Sequence, residues 1–97
     1  MVKRVIFSPL AIENTKQIIT YLKREWSDKS AKKFVEILRE KVSYIKRFPN
    51  SYFPLDGQEN IRRCVITRQV TLYYRIVENE IEVINFLIQD RIPINSK

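Results

Sequence analysis

The sequence predicts a two-layer α+β fold in the order β-α-α-β-β-β, with a helical hairpin packed on a largely antiparallel sheet. Two observations predict it. Apolar residues recur every three or four positions from Ala11 to Ile45, then alternate with a period of two from Ile61 to Ile88. Between the two regimes lies a turn signal, Asp56-Gly57. Helices laid on one face of a sheet would bury both patterns in one core, so residues 1–97 read as a single domain.

Val2 to Phe7 reads as a short strand, with Val2, Arg4 and Ile6 on one face and Lys3, Val5 and Phe7 on the other. Ser8-Pro9 opens the first helix. The serine hydroxyl can cap free N–H groups, and proline suits the first helical position because its missing N–H would have no partner there. Phe7 and Ile12 stand at the spacing of a hydrophobic staple. The stripe Ala11, Thr15, Ile18, Ile19, Leu22 and Trp26 carries this helix from about Pro9 to about Glu25, with Trp26 expected to pin the hairpin. Ser27 and Asp28 cap a second helix with the stripe Ala31, Phe34, Val35, Leu38, Val42 and Ile45. Lys32, Lys33, Arg39 and Lys41 read as its solvated face. Pro49 cannot continue it.

Asn50 to Asn60 reads as a loop. Strands follow at Ile61–Ile66, Val70–Val77 and Ile81–Ile88, separated by turns at Thr67–Gln69 and Glu78–Glu80. Asn79 is able to take a left-handed conformation in the second turn. The last strand is apolar on both faces apart from Glu82 and Asn85, which suits a central position. Tyr73 and Tyr74 point to opposite faces, and so do Arg62 and Arg63. Whichever arginine faces the helices must escape at an edge or pair with a carboxylate, for which Glu13, Glu80 and Glu82 are candidates.

Composition removes several function classes. There is no histidine, so Ser-His-Asp and Cys-His machinery is excluded. The one cysteine, Cys64, can form neither an internal disulfide nor a zinc site, and reads as a small buried strand residue. The one glycine, Gly57, cannot build a phosphate-cradling loop. No cofactor and no metal are therefore expected. No apolar stretch approaches the roughly 20 residues needed to span a bilayer, and no export signal is visible, so a cytoplasmic protein is expected. The net charge of +7, from 18 Lys and Arg against 11 Asp and Glu, points to a polyanionic partner, either nucleic acid or an acidic protein segment.

Several segments, in this order and spacing, carry a resemblance. They are Phe7-Ser8-Pro9-Leu10-Ala11, Ala31-Lys32-Lys33-Phe34, Ile45-Lys46-Arg47-Phe48-Pro49, Asn60-Ile61-Arg62-Arg63, Leu72-Tyr73-Tyr74-Arg75-Ile76 and Glu80-Ile81-Glu82-Val83-Ile84. Over about residues 3 to 91 the chain resembles the RelE/ParE toxin superfamily, also known as plasmid stabilisation proteins. The resemblance implies the toxin of a bacterial type II toxin–antitoxin module, held in a hetero-oligomer by a small acidic antitoxin. RelE-like members cut mRNA on the ribosome, whereas ParE-like members poison DNA gyrase without cutting nucleic acid themselves.

RelE-like members carry an arginine after an aromatic early in the middle strand; here Thr71 follows Val70. They also use a tyrosine or a His-Tyr pair near the C-terminus, where the tail from Gln89 to Lys97 has Arg91 but no aromatic. Arg62 matches one of their basic residues, and Cys64 falls where another is common. ParE-like members have a long helical hairpin, as Pro9 to Arg47 predicts, and often a histidine before an arginine at the end of the last strand, where Gln89-Asp90 precede Arg91. The resemblance is therefore closer to ParE, which implies action by binding a target such as gyrase. The alternatives are a RelE-like ribosome-dependent endoribonuclease and a nucleic-acid-binding module without toxicity. Arg62, Arg63, Arg68, Arg75, Arg91 and Tyr73 are the candidates for contacting the target or its phosphates. Guanidinium groups stay protonated and make poor general acids or bases, which favours docking over catalysis.

Overall fold

A computed structural model describes residues 4–89. The elements are β1 (Arg4–Phe7), α1 (Pro9–Glu25), α2 (Asp28–Arg47), β2 (Pro54–Leu55), β3 (Gln58–Thr67), β4 (Val70–Val77) and β5 (Glu80–Ile88). The sheet order is β1-β5-β4-β3-β2, antiparallel except for the parallel β1–β5 pair. This is the expected α+β architecture with one added strand. β2 lies inside what reads as a loop, because two residues carry no periodicity. Gly57 (φ 77°) makes the tight turn that returns Leu55 to Gln58, so β3 starts three residues before Ile61.

Both helices start where their caps predict. Ser8 Oγ accepts the Ala11 N–H at 3.0 Å, and Ser27 Oγ accepts the Ser30 N–H at 3.0 Å. Ser8 also donates its hydroxyl to the Ile84 carbonyl at 2.7 Å, tying the cap to β5. There the β4–β5 register slips: Tyr73 faces Asn85 while Tyr74 faces Val83, leaving Ile84 as the extra residue of a bulge. The Asn85 side chain accepts from Asn14 of α1 at 2.6 Å, a second tie at the same place.

The core lies between the hairpin and one face of the sheet. Ala11, Ile18, Phe34, Leu38 and Ile45 of the helices meet Cys64, Ile66, Leu72, Tyr74, Ile81, Val83 and Phe86 of the strands. Cys64 is wholly buried, as its strand position predicts. β5 is an interior strand, flanked by β1 and β4.

Three local expectations are corrected. Ile12 is exposed, so no staple forms; Phe7 turns inward instead and stands 6.5 Å from the Phe86 ring. Trp26 caps the end of α1 through its backbone N–H, but its side chain is 54% exposed and does not pin the hairpin. In the β4–β5 turn it is Glu78, not Asn79, that takes positive φ (58°). Val77 pairs with Glu80, which makes Glu78 the first central residue of a two-residue turn.

Candidate target-binding face

Alternation along β3 and β4 divides the candidate residues between two environments. Cys64, Ile66, Leu72 and Tyr74 are buried against the helices, so Arg63, Tyr73 and Arg75 point to the opposite, uncovered face. Arg63 and Tyr73 are direct cross-strand partners, with Asn85 next to Tyr73 on β5. Arg75 lies one row away and pairs with Glu82 at 2.7 Å. Arg4 pairs with Glu80 at 2.6 Å at the β1 edge. Two of the three carboxylates offered as partners for a helix-side arginine, Glu80 and Glu82, are thus engaged on the outer face, and Glu13 accepts from Gln17 of its own helix at 3.4 Å.

Arg62 goes to the helix side. It is half-buried beside its cross-strand partner Tyr74, and its guanidinium donates to the backbone carbonyl of Tyr52. The expected carboxylate partner is therefore replaced by a main-chain oxygen of the loop after α2. That loop folds back because Phe48, Tyr44, Tyr52 and Tyr74 pack in series, with ring centroids 5.0, 6.0 and 6.5 Å apart from one pair to the next. Tyr74 donates its hydroxyl to the Pro49 carbonyl at 2.8 Å. Burial pushes the Tyr74 phenol up to about 12, with Arg62 opposing part of the rise. Burial and the neighbouring Cys64 thiol raise Tyr52 as well, and burial raises Cys64. These groups stay neutral and structural.

Arg68 is exposed in the β3–β4 turn, about 17 Å along the strand from Arg63 at roughly 3.3 Å per residue. Arg91 lies outside the described residues. The structure therefore gathers Arg63, Tyr73 and Arg75, and separates Arg62 and Arg68 from them. Sequence reasoning missed the apolar part of the same face. Val65, Val77, Leu87 and Ile6 are between 38% and 56% exposed there, alternating with the core residues of their strands. Their odd spacing against the buried set was the available signal. A face mixing exposed aliphatics, one tyrosine and arginines has the composition of a protein-docking surface. Among the described residues no cluster of His, Cys, Asp and Glu is arranged to hold a metal ion. No helix among them is long and apolar enough to cross a membrane.

A family model described as the ParE toxin of the type II toxin-antitoxin system, parDE, matches residues 5–93. The chain belongs to this ParE toxin family. It is therefore the toxin component of a type II toxin–antitoxin system, within the RelE/ParE superfamily and on its ParE side. The sequence matches no curated protein. Among solved structures, the chromosomal ParDE TA system from P. aeruginosa is similar at a TM-score of 0.76 and 15% identity, over 93% of this chain and 98% of that one. The YoeB/ParE toxin from Agrobacterium tumefaciens is similar at 0.67 and 18%, over 89% and 98%. The toxin–antitoxin complex of YoeB and YefM from Staphylococcus aureus, a heterotetramer, contains a chain similar at 0.56 and 21%, over 90% and 95%. At these identities the solved structures share the fold of this ParE-family toxin.

Proposed function

We propose that this ParE-family toxin acts in the cytoplasm by binding a target such as DNA gyrase through the uncovered face of its sheet, and that it does not cut mRNA. A small acidic antitoxin neutralises it in a hetero-oligomer; in support, its structural relatives include a ParDE TA system and a heterotetrameric YoeB–YefM toxin–antitoxin complex. The observation that carries this reading is the grouping of Arg63, Tyr73 and Arg75 among half-exposed aliphatics, with Arg62 turned to the other side of the sheet. Arginines hold a phosphate or a carboxylate well but exchange no proton at neutral pH, and this chain has no histidine to do so. The face can thus recognise a surface, and it offers little for the acid–base steps of RNA cleavage.

A gyrase supercoiling assay with purified toxin tests the reading. Wild type is expected to inhibit. Arg63→Glu is expected to inhibit at least tenfold less while melting like wild type, because Arg63 is exposed and outside the core. Ribosome-dependent cuts within codons, mapped after induction, would replace this reading with the endoribonuclease one. Gel-shift binding of nucleic acid without toxicity would replace it with a plain binding module.

A further inference from the structure

Tyr52 and Phe53 turn to opposite sides of the chain. The Tyr52 ring stands edge-on to Tyr74 on the helix side, 6.5 Å away. Phe53 points to solvent with 84% of its surface exposed, the most exposed large apolar side chain among the described residues. Pro54 pairs with Arg62, so one residue further along this antiparallel pair Phe53 stands beside Arg63, at the edge of the uncovered face. Arg63 pairs in turn with Tyr73. Phe53, Arg63 and Tyr73 thus make a row of aromatic, cation and aromatic across the strands, with neighbours about 4.8 Å apart. The next row, about 7 Å along the strands, joins Val65, Thr71 and Leu87 and exposes two aliphatic side chains. The outer end of the first row is pinned from within. Arg62 donates to the Tyr52 carbonyl and Tyr74 to the Pro49 carbonyl, so the segment carrying Phe53 loses little freedom on docking.

We infer that this row is the centre of the target contact and takes a single Asp or Glu side chain of the target protein, with an aliphatic neighbour of that residue resting on Val65 and Leu87. The inference rests on the target-docking reading above and names the chemistry that the face recognises. Charge complementarity selects the occupant. Arg4 and Arg75 are already neutralised by Glu80 and Glu82, at 2.6 and 2.7 Å. Arg63 is exposed and has no carboxylate partner among the described residues. A nucleic-acid backbone is held by several free cations at once, whereas one guanidinium fork suits one carboxylate. Rings on either side keep water from that pair and so strengthen it.

Binding of the full-length toxin to purified DNA gyrase, and to duplex and single-stranded DNA alone, tests the row. Phe53→Ser and Arg63→Gln are each expected to weaken gyrase binding about tenfold or more. Arg63→Lys is expected to lose less than Arg63→Gln, because lysine keeps the charge and gives up only the fork. Lys16→Glu, a larger change of charge on the exposed side of α1, is expected to stay within about twofold of wild type. All four variants should melt like wild type, since Phe53, Arg63 and Lys16 are exposed. Wild-type gyrase binding by Phe53→Ser, equal losses in Arg63→Gln and Arg63→Lys, or a tenfold loss in Lys16→Glu overturns the carboxylate assignment and leaves the gyrase reading standing. Binding to DNA alone that both Phe53→Ser and Arg63→Gln abolish overturns it in favour of nucleic acid. If wild type binds no gyrase, the target reading falls and takes this assignment with it.

Discussion

Tyr74 makes the stability of this protein fall at alkaline pH. Its side chain is fully buried, and its hydroxyl is committed to the Pro49 carbonyl. The folded phenol titrates near 12, against an ordinary value near 10 in the unfolded chain. Below pH 10 both states keep the proton. Between 10 and 12 the unfolded chain has lost it while the folded chain retains it. The folded state then binds more protons, so the unfolding free energy drops as pH rises, by about 1.4 kcal/mol per unit. Over two units that is about 3 kcal/mol, a large share of the roughly 5–15 kcal/mol typical of a domain. Tyr52 is raised in the same direction and adds to the loss. Tyr74→Phe removes both the hydrogen bond and the titration. At neutral pH it should cost about 1–2 kcal/mol, since the Pro49 carbonyl loses its donor. Its stability should then decline less steeply than wild type above pH 10, and the two curves should cross between about pH 10.6 and about pH 11.6. Urea unfolding in steps of pH, read alongside phenolate absorbance of the folded protein, measures both. Parallel decline of the two proteins, or titration of all five tyrosines of the folded protein with midpoints near pH 10, refutes the argument.

Two further perturbations probe the joints of the fold. Ser8→Ala removes the cap of α1 and the bond to the Ile84 carbonyl at the β5 bulge together, and should cost about 2 kcal/mol by urea unfolding, more than an ordinary exposed cap. Glu78→Asn should raise stability by about 0.5 kcal/mol, or roughly 2–4 °C in Tm by calorimetry, because asparagine tolerates the positive φ that glutamate is forced to adopt there. An unchanged or lower Tm would show that the turn does not strain Glu78.

Periodicity made the two helices and the three long strands legible, together with nearly all of the core. Ala31, Phe34, Leu38 and Ile45 are buried as their stripe predicts. Elements without a period were not legible. β2 has two residues, and its pairing depends on the turn that Gly57 allows. The Phe7–Ile12 staple was a local expectation that lost to a distant one, because Phe7 gains more apolar contact beside Phe86 than it would on the surface of its own helix. Asn79 has the better left-handed propensity, yet the pairing of Val77 with Glu80 places Glu78 at the position that needs it.

The candidate face divides in the same way. The sequence alone places Arg62 and Arg63 on opposite sides of a strand, and Tyr73 and Tyr74 likewise, because strand side chains alternate whatever surrounds them. It determined also that no histidine could serve as a base and that the chain is strongly cationic. Which member of each pair meets the helices was decided only in the tertiary structure. A one-residue change of register exchanges the two faces completely, and the register follows from the packing of Leu72 and Tyr74 against the hairpin. That packing sends Arg62 inward to the Tyr52 carbonyl and leaves Arg63 beside Tyr73 in solvent. The groove of about 830 Å³ bounded by α1, α2 and the ends of β3, β4 and β5 arises only from tertiary structure too, since no single stretch of sequence encodes a gap.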